Sequence, residues 1–187
     1  MALTKLDDIT ALVVIDLQKG IVAMPTAPYL AVEVIDRAAR LAHAFREHGL
    51  PVVLVNVAGR APGRTDAGPS RSAPPADWAE LVPELERQLG DHLVTKRRVG
   101  AFLGTGLDDY LRRSGVTQVV LTGVATGSGV ESTARNAYDL GYNVTLVVDA
   151  MADREVDTHR HSVEKVFPRL GETTTTDELL KLLRSGD

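Results

Sequence analysis

The stretch from Val116 to Arg135, VTQVVLTGVATGSGVESTAR, restricts this chain more than any other. It opens as an apolar run, VVLTG, whose β-branched residues suit a strand covered on both faces. At Gly123 the pattern breaks into a loop of small residues, and a helix is expected from about Val130. Strand, tight small-residue turn and helix in that order place backbone N–H groups at a helix N-terminus above the strand's carboxyl end. In open parallel α/β sheets that edge is where ligands bind. The same pattern also serves an ordinary strand-to-helix connection with no chemistry.

The rest of the chain repeats the alternation. Thr10–Asp16, TALVVID, reads as a buried strand ending on a carboxylate. Ala31–His48 carries helical periodicity through Val34, Ala38, Leu41, Ala42 and Phe45, and Gly49 is placed to stop it. Pro51–Val57 is a second apolar strand, His92–Lys96 a third that ends on a lysine, and Asn143–Ala150 a fifth. Trp78–Leu85, Leu107–Ser114, Thr158–Leu170 and Thr176–Arg184 read as helices, and Glu172–Thr175 as a short last strand. Alternation of this kind predicts a single domain, a three-layer α/β/α sandwich around about six mostly parallel strands with right-handed crossovers. The segment 58–75, AGRAPGRTDAGPSRSAPP, has no periodicity and is long for an idle connection. It is read as a cover over the site or a disordered excursion.

Composition narrows the partners. A net charge of −4 argues against nucleic acid or an anionic membrane as the main partner. No run has the length of a membrane span, and MALTKLDDIT lacks the apolar core of a signal peptide, so cytoplasmic residence is the expectation. The chain contains no cysteine, which removes disulfides, thiolate metal sites and any cysteine nucleophile.

Three features fall at the carboxyl ends of strands: Asp16, Lys96 and the loop 123–129. An aspartate directly after VVI is costly to bury unless paired, and the lysine ending HLVTK is its natural partner. Burial raises such a carboxyl's pKa and a nearby cation lowers it. Beneath a helix N-terminus the pair is a plausible acid–base apparatus, with a purely structural ion pair as the alternative. TGVATGSG at 122–129 also matches the TGxxxGxG pattern of short-chain dehydrogenases, with Asp149 following at a strand end. That pattern belongs to the first strand–helix unit of a nucleotide fold, and here it follows the fourth strand with no later Tyr-x-x-x-Lys pair. A dinucleotide site is therefore not expected.

At these residues the sequence resembles the isochorismatase-like hydrolase superfamily, also called the cysteine hydrolase family. VVIDLQKG looks like its first strand, HLVTKRRVGAFLGTGLDDYLRRSGV its lysine-bearing strand and following helix, TGVATGSGVESTARNAYDLGYNVTLVVDAM its most diagnostic segment, and FPRLGETTTTDELL its C-terminal end. The resemblance implies an isochorismatase-like, Rossmann-like fold, a small-molecule substrate and a homo-oligomer. In the amidase members the catalytic set is an Asp, a Lys and a Cys. Asp16 and Lys96 match the first two, and the cysteine position falls on Gly129. The family's cis peptide maps to Val124–Ala125, and Gln18, Val124, Ala125, Ser128 and Gly129 are the substrate-binding positions the resemblance implies. Without a thiol the covalent amidase route is closed, and Ser128, although adjacent, has no histidine assigned to activate it. The Asp-x-His zinc pattern of nicotinamidases is missing from NVAGRAPGR, so neither a metal nor a cofactor is implied; His159 and His161 are read as surface residues.

Isochorismatases proper similarly carry glycine at the cysteine position and cleave a vinyl ether with release of pyruvate. By that resemblance Asp16 is the general acid, Lys96 tunes it, and Gly129 leaves room for substrate. The sequence departs from theirs at Ala125, Thr126 and Gly127, where they carry a Tyr-Ala-His-type run, and at Val57, near which their substrate-contacting glutamine aligns. An amidase-type hydrolase acting by another route and a catalytically silent ligand-binding member stand as alternatives.

Overall fold

Six segments assemble into one sheet in the computed structural model, which describes residues 3–66, 68 and 73–185. In chain order these are β1 (Thr10–Ile15), β2 (Val52–Val57), β3 (His92–Lys96), β4 (Gln118–Val124), β5 (Asn143–Ala152) and β6 (Glu172–Thr174). All five pairings are parallel and the spatial order is β3-β2-β1-β4-β5-β6. The sheet is thus wholly parallel rather than mostly so. The helices are α1 (Lys19–Val22), α2 (Ala31–Glu47), α3 (Leu107–Arg113), α4 (Glu131–Asp139), α5 (Val156–His161) and α6 (Thr176–Ser185).

Strand periodicity decides which side chain joins which layer. Leu12 and Val14 face the cluster built with Val34, Leu41 and Phe45 of α2 and Leu179 and Leu183 of α6. Ala11, Val13 and Ile15 face the other cluster, with Leu107 and Leu111 of α3, Ala134 and Ala137 of α4, and Phe167. Every β1 side chain is buried, because both faces of a central parallel strand are covered. The order reverses between β1 and β4, and the crevice above that switch point is where open α/β sheets hold ligands.

Two glycine-dependent features shape this centre. Gly123 on β4 has φ +117°, and a Cβ there would lie 2.0 Å from the Ile15 carbonyl oxygen, so only glycine lets β4 meet β1 at this register. Gly20 lies beneath the Trp78 indole, which occupies the space of its missing Cβ and ties residues 76–81 to α1.

The helical expectations hold except at two places. Trp78–Leu85 is not one helix: Leu81 bridges to Gln18, and a single 3-10 turn runs Pro83–Leu85. Pro83, with no N–H to give a preceding carbonyl, restarts the chain there. Thr158–Leu170 begins earlier, at Val156, and is wound in three pieces: α5, a π turn at Ser162–Val166 and a 3-10 turn at Phe167–Arg169 around Pro168. No helix among the described residues is long and apolar enough to cross a membrane.

Candidate active site

The first site residue leaves β1 in a turn. Asp16 has φ +53°, a left-handed conformation that costs most L-residues roughly 1–2 kcal/mol and that aspartate tolerates better than most. Its N–H donates to the Val55 carbonyl and its carbonyl accepts from Gln18, so the strand end is fixed on both sides. Lys96 ends β3, two strands away across β2, a gap of about 10 Å at ordinary strand spacing. Its long stem crosses that gap and sets Nζ 2.8 Å from Asp16 Oδ2, with a second hydrogen bond to the Arg98 carbonyl at 3.3 Å. Both side chains are nearly sealed from solvent, at 3% exposed for Lys96 and 7% for Asp16.

This environment holds Asp16 between two opposing effects. Burial pushes its pKa up from 3.8 to about 6, against the Lys96 charge and hydrogen bond, which pull it down. Oδ1 adds to the burial effect: it is enclosed and has no hydrogen-bond partner among the described residues to stabilise the ionised form. Asp16 is accordingly a carboxyl that changes protonation near neutral pH.

Opposite the pair lies the turn after β4. The Val124–Ala125 peptide is cis, as the resemblance implies. Thr126–Val130 then form a wide π turn, with both Ser128 N–H and Val130 N–H donating to the Ala125 carbonyl, before α4 begins at Glu131. Gly129 faces the carboxyl: a Cβ there would lie 3.2 Å from Asp16 Oδ2 and 3.0 Å from Ile15 Cγ2. The absence of that atom opens the space in front of the acid. Asp16, Lys96, Val124, Ala125, Ser128 and Gly129 all line one cavity of about 410 Å³, open to solvent. From the segment 58–75, Gly59, Arg60 and Ala61 line it too; residues 67 and 69–72 lie outside the described residues.

Gln18 is the exception among the expected positions. It is fully buried and does not line the cavity. Its amide donates to the Val57 and Trp78 carbonyls and accepts from the Val57 N–H, so it clamps β2 and the Trp78 segment to β1 rather than meeting a substrate. The reading of His159 as a surface residue is also overturned. It is buried, and its Nδ1 lies 2.9 Å from Thr126 Oγ1, with Tyr29 edge-on at 6.1 Å. Burial lowers its pKa, against the pull of Asp153. His161 is exposed. Asp149 is occupied structurally: it accepts from the Thr176 N–H and hydroxyl at the start of α6 and faces Arg37, which leaves no role for it at a ribose.

Asp153 escapes a reading of the sequence. Its backbone pairs with Ala27, one oxygen accepts from the Gly127 N–H at 2.7 Å, and the other accepts from the Arg154 N–H. It therefore ties both the 24–28 wall and the 126–130 turn to the end of β5. The signal that finds it is the one that finds Asp16, a carboxylate closing an apolar strand. The expected strand end at Ala150, where the true one is Ala152, hides it. Among the described residues no group of three or more His, Cys, Asp or Glu side chains is arranged to hold a metal ion.

Comparison with known proteins agrees with this fold. A family model described as Isochorismatase domain matches residues 10–178. The chain is 44% identical over 183 residues to the isochorismatase family protein YwoC of Bacillus subtilis, covering 94% of each. It is 33% identical over 162 residues to the phenazine biosynthesis protein PhzD of Pseudomonas fluorescens, covering 83% of this chain and 78% of that one. It is also 29% identical over 185 residues to a maleamate amidohydrolase of Pseudomonas putida, covering 93% and 86%. Among solved structures, an isochorismatase family protein from Burkholderia thailandensis matches with a TM-score of 0.92 at 41% identity, covering 96% of this chain and 98% of that one.

Proposed function

The chain belongs to the isochorismatase family, whose members are hydrolases, and on that premise we propose that it hydrolyses a vinyl ether by general acid catalysis, releasing pyruvate. The observation that carries the reading is a buried carboxyl with a pKa of about 6 facing open space at Gly129, in a chain without cysteine. Gly129 stands at the position the resemblance gives to the nucleophile. In its place the site offers an acid and room for substrate.

The chemistry balances with water as the only co-reactant. Protonated Asp16 delivers its proton to the terminal carbon of the enol ether, and the ether carbon becomes an oxocarbenium ion. Water adds to that carbon and returns a proton to Asp16. The resulting hemiketal collapses to an alcohol and a ketone, which is pyruvate when the substrate is an enolpyruvyl ether. Lys96, at 2.8 Å, stabilises the carboxylate left by proton transfer, so its attraction grows as the charge develops. A raised but not extreme pKa suits this role, since the acid must be both protonated and willing to donate near neutral pH.

Similarity to a maleamate amidohydrolase favours one second reading, C–N hydrolysis by a directly activated water. The discriminating experiment is a screen of enolpyruvyl ethers and small amides, followed separately for pyruvate and for ammonia, with Asp16→Asn in parallel. The vinyl ether reading expects pyruvate release that falls by about 10²–10⁴-fold in Asp16→Asn. Ammonia without pyruvate would favour the amidase, and near-wild-type pyruvate release by the variant would remove Asp16 from the chemistry.

A further inference from the structure

The two edges of the sheet are treated differently. β6 is shielded: the Leu3 N–H donates to the Thr173 carbonyl, and Thr4 donates from its N–H and its hydroxyl to the Glu172 carboxylate. β3 closes the opposite edge. The Ala58 N–H donates to the Lys96 carbonyl, which turns the backbone polar groups of Lys96 toward β2. Backbone groups alternate in direction along a strand, so those of Val94 and His92 turn the same way, and those of Leu93 and Thr95 point out of the sheet. Among the described residues nothing beyond the sheet bonds to the N–H or carbonyl of Leu93 or Thr95. Soluble proteins blunt an open edge with proline, an outward charge or a bulge. β3 has none of these: HLVTK lacks proline, its lysine is turned inward to Asp16, and its register with β2 is unbroken. Leu93 instead lies on the face of Leu54, is 39% exposed, and borders a groove of about 480 Å³ with Leu81, Val82 and Pro83.

We propose that the open edge of β3 is a docking surface for a second copy of this chain, whose β3 pairs with it antiparallel about a two-fold axis at Val94, joining the two sheets into one. The outward groups fix the register. Leu93 opposes the partner's Thr95 and Thr95 opposes the partner's Leu93, and each of these pairs exchanges both of its N–H···O=C bonds, with the two Val94 residues as the non-bonded pair between them. The flanks of the strand are complementary to each other as well. Exposed Glu84, Glu86 and Leu89 precede β3, where Arg87 is the one cation from 84 to 91, and exposed Arg97, Arg98 and Val99 follow it. Antiparallel pairing about a two-fold axis sets the acidic end of each copy against the basic end of the other, and brings exposed Leu89 toward the partner's exposed Val99. The match is made twice because the surface is its own complement, which favours a second copy over an unrelated strand. Parallel pairing would instead set like charges together.

The test reads association and not turnover, so its outcome is separate from that of the vinyl ether reading. Sedimentation velocity on the full chain, over a concentration range of about 1–100 μM, should show a dimer. Leu93→Lys sets a charge on the edge. Thr95→Pro deletes an N–H that points away from β2 and so spares the ladder between the two strands. Each change should raise the dimer dissociation constant by about a hundredfold or more, with circular dichroism verifying the fold. Hydrogen exchange then locates the contact. The Leu93 and Thr95 amides of the wild type should exchange more slowly as protein concentration rises, and the Thr95 amide of Leu93→Lys should not. That measurement decides the matter even where Thr95→Pro does not fold. A wild-type monomer across the whole range would overturn the proposal, whether its edge amides are free or protected by the chain itself. A dimer that survives Leu93→Lys while the Leu93 and Thr95 amides exchange fast at every concentration would overturn it too, because another face then makes the contact.

Discussion

Replacing Lys96 by methionine removes the ammonium 2.8 Å from Asp16 while keeping a side chain of comparable length in the same buried course. Burial raises the Asp16 pKa to about 6, and Lys96 is what holds it from rising further. An opposite charge at this range ordinarily lowers a carboxyl pKa by about 1–3, so Asp16 in the variant titrates higher by that amount and stays protonated through neutral pH. The same attraction stabilises the carboxylate left by proton donation. Its loss removes up to roughly 1.4–4 kcal/mol from a transition state in which proton transfer is well advanced, a tenfold to thousandfold lower rate on the acid plateau. The assay is pyruvate release from the substrate found by the screen, coupled to oxidation of a reduced nicotinamide cofactor and repeated from about pH 5 to pH 9 in steps across the Asp16 titration. Wild type should lose rate above a pH of about 6, where Asp16 ionises. Lys96→Met should show a lower plateau whose decline begins at higher pH. An unchanged plateau and an unmoved decline together would refute the coupling of Lys96 to a catalytic Asp16. Stability supplies an independent check on the same pair. Folded Asp16 keeps its proton between pH 3.8 and about 6, where the unfolded chain has lost it. Stability therefore falls as pH rises through that window, by about 3 kcal/mol from this group, and Lys96→Met should extend the fall to higher pH in urea titrations.

Other substitutions probe the frame around the pair. Gly129→Cys places a Cβ 3.2 Å from Asp16 Oδ2 and 3.0 Å from Ile15, and should lower pyruvate release by about tenfold to a hundredfold. If it instead confers ammonia release from small amides, the scaffold is an amidase that lost its nucleophile. Gly123→Ala sets a methyl 2.0 Å from the Ile15 carbonyl oxygen at φ +117°, and should cost more than about 4 kcal/mol in chemical denaturation or prevent soluble expression. Asp153→Ala leaves the Gly127 N–H without its acceptor, for a loss of about 1–3 kcal/mol and faster amide exchange at Gly127. Asp153→Asn, which keeps an acceptor oxygen, should lose less on both measures.

Much of the fold is legible in the chain because buried parallel strands and amphipathic helices have local signatures. TALVVI, PVVLVNV, VVLTG and NVTLVV read as strands with no partner specified, and every one of them pairs in the sheet. Asp16 and Lys96 are legible as a pair for a similar reason. A charged residue closing an apolar strand must find a partner, and few are available at one sheet edge. Departures come where structure depends on particular neighbours. Pro83 and Pro168 divide segments whose apolar spacing is helical. Gln18 stands two residues from Asp16, next to the site in sequence, yet points its amide into the backbone of β2.

The sequence by itself determines the α/β class, the strand inventory, the family resemblance and the chemical character of Asp16, Lys96 and Gly129, since each is a matter of local pattern and residue type. Only the tertiary structure decides that Lys96 reaches across β2 to Asp16, that His159 is buried against Thr126, that Asp153 anchors two walls, and that Arg60, Arg98 and Arg154 share one cavity. Most of these residues follow separate strand ends, with His159 on α5, and their meeting depends on strand order. Strand order is settled by how the two helical layers cover the sheet, a property of the whole packed core that no local stretch encodes.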